Sequence, residues 1–304
     1  MHIQPFWLDA VCGQQGWEVA LSYSKDEKII GVLPYFKQVS KGLTFVKMPP
    51  FTDYLGPWIH LEHQEEMKQE RKYIKYKQIL SDLIAQLPNS TYFFQQLHPN
   101  CEDWLPFMQA RFQQTTYYTY QIELKQAVDT IFGQFRRNIR RNITTADSYL
   151  SLEESFDPRD LYQLVSTTFQ QQGIQIGFSM QQLERLVAGL KDNKQGVIYY
   201  ARNKTNHRRN AAVLLAWDDT QVFTILSASA EMWRDKPAPS WLNWQIIQGF
   251  VDSHQTLDFC GSIIPEIEHA TIGMGGKRVP FYKIYKSKNL FWYLLAKLAK
   301  TEYA

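Results

Sequence analysis

The residues best placed to do chemistry crowd into one stretch, Thr256 to Phe281. It opens with an apolar run that carries a charge, Leu257-Asp258-Phe259-Cys260, and turns at Gly261-Ser262. A proline-containing loop with Glu266 and Glu268 follows, then Gly273, Gly275 and Gly276, then Lys277 and Arg278, then a new strand from Phe281 to Lys286. A carboxylate between apolar strand residues needs donors, a cation or a proton, which makes Asp258 a site candidate. Glu266 and Glu268 lie two apart. In an extended segment both face the same way, and one could take a proton from an amine or hydroxyl. As solvated loop acids, or as partners for arginines elsewhere, they would do no chemistry. Three glycines within four positions indicate a tight loop of close approach. Such a polar loop at a strand's C-terminal end is where α/β proteins place their chemistry.

The second concentration is Phe132-Gly133-Gln134-Phe135-Arg136-Arg137-Asn138-Ile139-Arg140-Arg141-Asn142-Ile143. Within a helix expected over Val128 to Ala146, at about 100° per residue, Phe132, Phe135, Ile139 and Ile143 share one face. Arg136, Arg137, Arg140 and Arg141 fan over an adjoining arc of roughly 140°. Like charges four apart disfavour an isolated helix, so something acidic must compensate. It is either a phosphate or carboxylate ligand, both of which arginine grips with paired hydrogen bonds, or carboxylates of the same chain.

Other chemistries find no support. His98, His207, His254 and His269 are isolated, and no HExxH, GxSxG, P-loop or GxGxxG pattern occurs. Cys12, Cys101 and Cys260 form no CxxC pair, so a reducing cytoplasm is expected, and Cys260 reads as a small hydrophobe. A net charge of +3 is too weak to argue for DNA or other nucleic acid. The N-terminus lacks a signal-peptide pattern, and the longest apolar run, Leu290 to Ala296, is too short to span a bilayer.

These groups need a scaffold, and the sequence reads as mixed α/β. Strands are expected at Trp17–Tyr23, Ile29–Phe36, Leu43–Met48, Tyr92–Leu97 and Thr116–Leu124, with helices at 65–87 and Glu102–Phe112. In the second half come helices at Pro158–Gln171 and Met180–Leu190 and three antiparallel strands at Gly196–Arg202, Ala211–Trp217 and Val222–Ala228. A helix capped by Ser240 then leads into the Asp258 strand. This order is not the βαβ alternation of a doubly wound fold.

Taken in order, FTDYLGP, FRRNIRRNITTADS, LYQLVSTTFQQQGI, SWLNWQIIQGF, DFCGS and the GMGG loop resemble the Fem-type branch of the GNAT acetyltransferase superfamily, which includes the peptidoglycan-bridge aminoacyltransferases. The resemblance covers nearly the whole chain. It implies two tandem GNAT-like domains of the acyl-CoA N-acyltransferase fold, with mixed, mostly antiparallel sheets flanked by helices. Residues 1–122, completed by 285–304, would form the first, and 123–284 the second. It implies transfer of an activated acyl or aminoacyl group to an amine or hydroxyl. Acyl-CoA or aminoacyl-tRNA would be a passing donor, with no permanently bound cofactor. The acceptor would be a small molecule or a cell-envelope precursor.

On this resemblance Asp258 and Glu266 are acid/base or orienting groups. Arg136, Arg137, Arg140, Arg141, Lys277 and Arg278 attract an anionic substrate. Ser262, Gly275 and Gly276 shape the loop, and Tyr54 and Tyr282 line a cleft between the domains. The chain also departs from the pattern. SASAEMWRDKPAPSW has no glycine where acyl-CoA-binding members cradle pyrophosphate on backbone N–H groups. Ile272 stands where Fem-type enzymes carry a cation, and Phe178, Ser179 and Gln182 replace the acceptor pattern of the bridge-forming enzymes. A non-catalytic tandem-GNAT binding protein is therefore the alternative. A third reading places Phe291, Trp292 and Tyr293, with their flanking lysines, at a membrane surface, against simple packing on the first domain.

Overall fold

A computed structural model describes residues 1–101, 103–171, 175–230, 237–261 and 265–298. The chain divides into two compact units, residues 2–117 with 280 onward, and residues 118–279 with Met1. In chain order the elements are α1 (Pro5–Cys12), β1 (Trp17–Tyr23), β2 (Ile29–Ser40), β3 (Leu43–Lys47), β4 (Trp58–Ile59), α2 (Gln69–Ala85), β5 (Tyr92–Gln96), α3 (Leu105–Gln109) and β6 (Gln113–Glu123). There follow α4 (Val128–Gln134), α5 (Arg137–Asp147), β7 (Leu150–Ser155), α6 (Arg159–Gln171), α7 (Met180–Asp192), β8 (Gly196–Asn203), β9 (Arg209–Trp217) and β10 (Gln221–Ser229). Last come α8 (Pro237–Phe250), β11 (Thr256–Asp258), α9 (Pro265–Gly273), β12 (Lys277–Ser287) and α10 (Leu290–Leu298).

Both units use one strand pattern. In residues 2–117 with 280 onward, β1, β2 and β3 pair antiparallel, β3 pairs parallel with β5 across the α2 crossover, and β12 closes antiparallel on β5. In residues 118–279, β7, β8, β9 and β10 pair antiparallel, β10 pairs parallel with β11 across α8, and β6 closes antiparallel on β11. A parallel pair needs a long crossover, and a helix supplies it in each unit. Each unit has its own apolar core. One holds Leu33, Val46, Leu80, Leu83, Phe93, Phe107 and Ile284. The other holds Ile131, Ile139, Ile143, Leu215, Trp241, Leu242 and Leu257. The architecture is the mixed, mostly antiparallel α+β class expected.

Several local expectations are corrected. The single helix over Val128 to Ala146 is two helices. Phe135 and Arg136 take extended backbone, ψ 142° and 145°, between α4 and α5. The Arg136 N–H donates to the Gly273 carbonyl at 2.8 Å instead of continuing a helix. Ser240 lies inside the first turn of α8, which already begins at Pro237. The helix expected over Glu102 to Phe112 shrinks to Leu105–Gln109. The Asp258 strand stops at Asp258, because Cys260 turns into the left-handed region at φ 57°. Glu266 and Glu268 lie on a helix, α9, rather than in an extended loop.

Ser179 and Gln182, which displace the family's acceptor pattern, form a capping box at the start of α7. The Gln182 N–H donates to the Ser179 hydroxyl at 3.2 Å, and the Ser179 N–H donates to the Gln182 side chain at 2.9 Å. Removing such a cap costs about 1 kcal/mol. Ser179→Ala should lower the urea midpoint by that energy divided by an unchanged slope, and an unmoved midpoint would show that the box contributes nothing.

Candidate functional site

Within residues 118–279 the candidate groups gather where β6 meets β11 and α9. Asp258, at the end of β11, is fully buried. It sits opposite Gln121 of β6 in register. Its Oδ2 accepts from Gln121 Nε2 at 2.8 Å, and its Oδ1 accepts from the Cys260 N–H at 2.7 Å and from the Thr119 hydroxyl. A buried carboxylate that receives a hydroxyl, an amide and a backbone N–H is satisfied as an anion. Its observed partners belong to the sheet and to its own turn. It ties β6 to the left-handed step at Cys260.

Tyr118 and Tyr120 alternate with Thr119 and Gln121 along β6, so they project from the other face. There Glu268 of α9 accepts from the Tyr120 hydroxyl and, on the same Oε1, from Arg278 Nη2 at 2.8 Å. The Arg278 guanidinium lies 5.2 Å from the Tyr118 ring centre and 6.0 Å from that of Tyr120. The Tyr120 hydrogen bond, with help from Arg278, holds the Glu268 carboxyl below its usual range. Burial first, and then the bond to Glu268, pushes the Tyr120 phenol up. The result is a charged carboxylate beside a protonated phenol and a partly exposed guanidinium.

α9 is held by its own end. Gly275 at φ +80° lets the Gly276 N–H reach the Thr271 carbonyl and its own N–H reach that of Ile272, both at 3.0 Å. This is a Schellman close, which favours glycine at the left-handed position. Gly273 lies against α5, where an added Cβ would come within 2.7 Å of Ile139. The three glycines therefore end a helix and seat it on its neighbour.

That contact leads to the arginines. Arg136 Nη1 lies 2.6 Å from His269 Nε2. Arg136, Arg137 and Arg141 are exposed and Arg140 is half-buried. Among the described residues, none of the four forms an ion pair with a carboxylate. Arg209, by contrast, is bound to both Glu153 and Asp160. Lys277 is largely exposed, 3.3 Å from Glu123. Of the other candidates, Ser262 and the side chain of Glu266 lie outside the described residues.

Tyr54, Tyr282 and a residue the sequence reading missed belong to the other unit. Tyr54 is buried against His98 and Phe281. Tyr282 is half-buried, and its carbonyl accepts from the Leu97 N–H at 2.8 Å. Lys283, only 2% exposed, holds its ammonium 4.5 Å from the ring centres of Phe94 and Tyr117. A signal for it was present: in a strand, Phe281, Lys283 and Tyr285 share a face, so a lysine is placed in an aromatic row. Tyr120 and His269 had no comparable signal.

Two outcomes follow. Asp258→Asn puts an N–H₂ where donors converge and should cost about 1–3 kcal/mol of stability, read by chemical denaturation; an unchanged midpoint would remove Asp258 as a brace. Glu268, whose pKa is depressed on folding, stabilises fully above its ordinary value of 4.5, and that support is lost as pH falls through the lowered value. Carboxyl NMR titration should find Glu268 below an ordinary glutamate and moved upward in Tyr120→Phe and Arg278→Gln, whereas three coincident curves would refute the coupling.

A scan against protein-family models finds no match, and a search of curated proteins finds none either. Solved structures do match. FemX aligns with a TM-score of 0.65 at 10% identity, covering 93% of this chain and 91% of its own. The C-terminal domain (DUF2156) of a provisionally named lysylphosphatidylglycerol synthetase from Agrobacterium fabrum aligns at 0.57 and 12%, covering 96% and 90%. L-PGS from Bacillus licheniformis aligns at 0.57 and 10%, covering 94% and 89%. At such identities the likeness is one of fold, and it spans almost the whole of each chain: this protein has the Fem-type mixed α+β fold.

Proposed function

We propose that this chain transfers an activated acyl or aminoacyl group from an anionic, phosphate-bearing donor to an amine or hydroxyl acceptor. The observation that carries the reading is the arginine cluster made by Arg136, just ahead of α5, and Arg137, Arg140 and Arg141 on it. Four guanidinium groups without a carboxylate partner among the described residues call for an anion from outside. Arg136 adjoins His269, one residue from Glu268, which Arg278 and Tyr120 hold, so the cationic face runs on to a charged carboxylate and a phenol. These groups could order an acceptor amine. The segment after β10 has no glycine with which to cradle a pyrophosphate, which favours a donor read through arginine–phosphate contacts, such as aminoacyl-tRNA, over acyl-CoA. A non-catalytic binding protein is the second reading, favoured by the in-sheet donors that satisfy Asp258.

Melting curves with acetyl-CoA, longer acyl-CoAs and aminoacyl-tRNA should show the largest upward shift with aminoacyl-tRNA. Arg137→Ala and Arg141→Ala should each reduce the salt slope of that binding by about 1. Tight binding of acyl-CoA alone, insensitive to both arginine variants, would sink the donor assignment. Binding without turnover for any amine or hydroxyl acceptor would leave the non-catalytic reading.

A further inference from the structure

α10 splits its apolar residues between two sides. Trp292 meets the Phe45 ring at 5.7 Å, edge to face, and Tyr293 stacks on Tyr285 at 5.6 Å and 20°. These two rings anchor the helix on β3 and β12. Leu290, Phe291 and Leu294 are left outside at 68%, 63% and 49% exposure. At 3.6 residues per turn those three positions fall within about 100° of arc, so they form one stripe rather than scattered surface residues.

The sequence flanking this stripe is rich in lysine. From Lys283 to Lys300 the sequence carries Lys283, Lys286, Lys288, Lys297 and Lys300 and no Asp or Glu. Lys286 is engaged with the Ala110 carbonyl at 2.9 Å and Lys283 is buried. Lys288, just ahead of the helix, is exposed. The Lys47 ammonium lies 5.7 Å from the Phe45 ring, the ring on which Trp292 rests. An apolar stripe bordered by cations is met by a surface with negative charge outside and hydrocarbon beneath. A second copy of the chain answers poorly, because a two-fold contact would bring the same cation-bordered patch against itself with no carboxylate to meet Lys288 and Lys47.

We infer that α10 is a membrane-surface contact. Leu290, Phe291 and Leu294 enter the interfacial layer of a bilayer, and Lys288 and Lys47 meet anionic phospholipid headgroups. Trp292 and Tyr293 hold the helix to the protein and do not enter the lipid, which divides the roles of the aromatic run. Peripheral contact of this kind needs no spanning segment, and among the described residues no helix is long and apolar enough to cross a membrane. The inference does not depend on the transfer reaction.

Vesicle co-sedimentation tests it, with the full chain, phosphatidylcholine alone and phosphatidylcholine mixed with phosphatidylglycerol. The unmodified protein should pellet with the mixed vesicles, less so as salt rises, and hardly at all with phosphatidylcholine. Lys288→Gln should weaken binding roughly fivefold, the loss expected for one cation at an anionic surface. The triple variant Leu290→Ser, Phe291→Ser, Leu294→Ser should lose roughly a hundredfold or more. Its melting temperature should stay unchanged, since the three side chains are already in water; Phe291→Ser alone serves if the triple variant melts early. No binding to mixed vesicles, or equal binding by the variants, would overturn the inference. So would a dimer of the unmodified protein in analytical ultracentrifugation that the variants lack.

Discussion

A carboxylate with no access to water must be answered by the chain around it, and much of the local architecture of residues 118–279 can be traced to that requirement. Asp258 draws a hydroxyl from Thr119, an amide from Gln121 and a backbone N–H from Cys260. To present those donors, β6 must pair with β11 in one register, and the chain must turn sharply after Phe259. A slip of one residue would carry Thr119 and Gln121 to the opposite face and leave the charge unanswered. The same register puts Tyr118 and Tyr120 on the far side of β6, where Arg278 and Glu268 meet them. A buried charge thus fixes where a partly exposed set of polar groups stands.

The junction of α5 and α9 works through backbone and space rather than charge. Gly273 has no side chain, so Ile139 can reach it, and the Gly273 carbonyl takes the Arg136 N–H. This contact breaks the helix that periodicity alone would continue, and it turns Arg136 toward His269. The arginines beyond it remain exposed along α5 while Ile139, Ile143 and Ala146 fill the core. An amphipathic helix with three arginines on its outer arc, and Arg136 just ahead of it, gains its stability from the buried face and leaves the charges for something else.

Two cationic surfaces result, and they differ in kind. On α5 the cations are guanidinium groups on a rigid helix, suited to the planar geometry of phosphates and carboxylates. Beside α10 they are ammonium groups next to an apolar stripe, suited to a diffuse negative surface. Lys283 is neither, since its charge is enclosed by ring faces and shielded from bulk water.

The sequence by itself determined the element types and the class. Partial alternation of apolar residues along Trp17–Tyr23, and the 3.6 period of the long helices, are local patterns that report which face is buried. They led to a mixed α+β chain and, through the ordered motifs, to the Fem-type fold. Asp258 was marked as costly because a charge in an apolar strand is visible without a structure, and the arginine face because its i,i+4 repulsion is a property of spacing. What completes each of them is not local. The side-chain donors to Asp258, Thr119 and Gln121, are well over a hundred residues away in β6, and no periodicity links them. The break at Phe135–Arg136 comes from a carbonyl on α9. Glu266 and Glu268 read as a loop because proline and glycine bracket them, yet those residues start and stop a helix. Lys283 fell into an aromatic row that a period of two could have shown, but only the packing of Phe94 and Tyr117 around it decided that its charge would be enclosed. Periodicity records what each segment buries; which distant groups meet there depends on long-range pairing, and that only the tertiary structure decided.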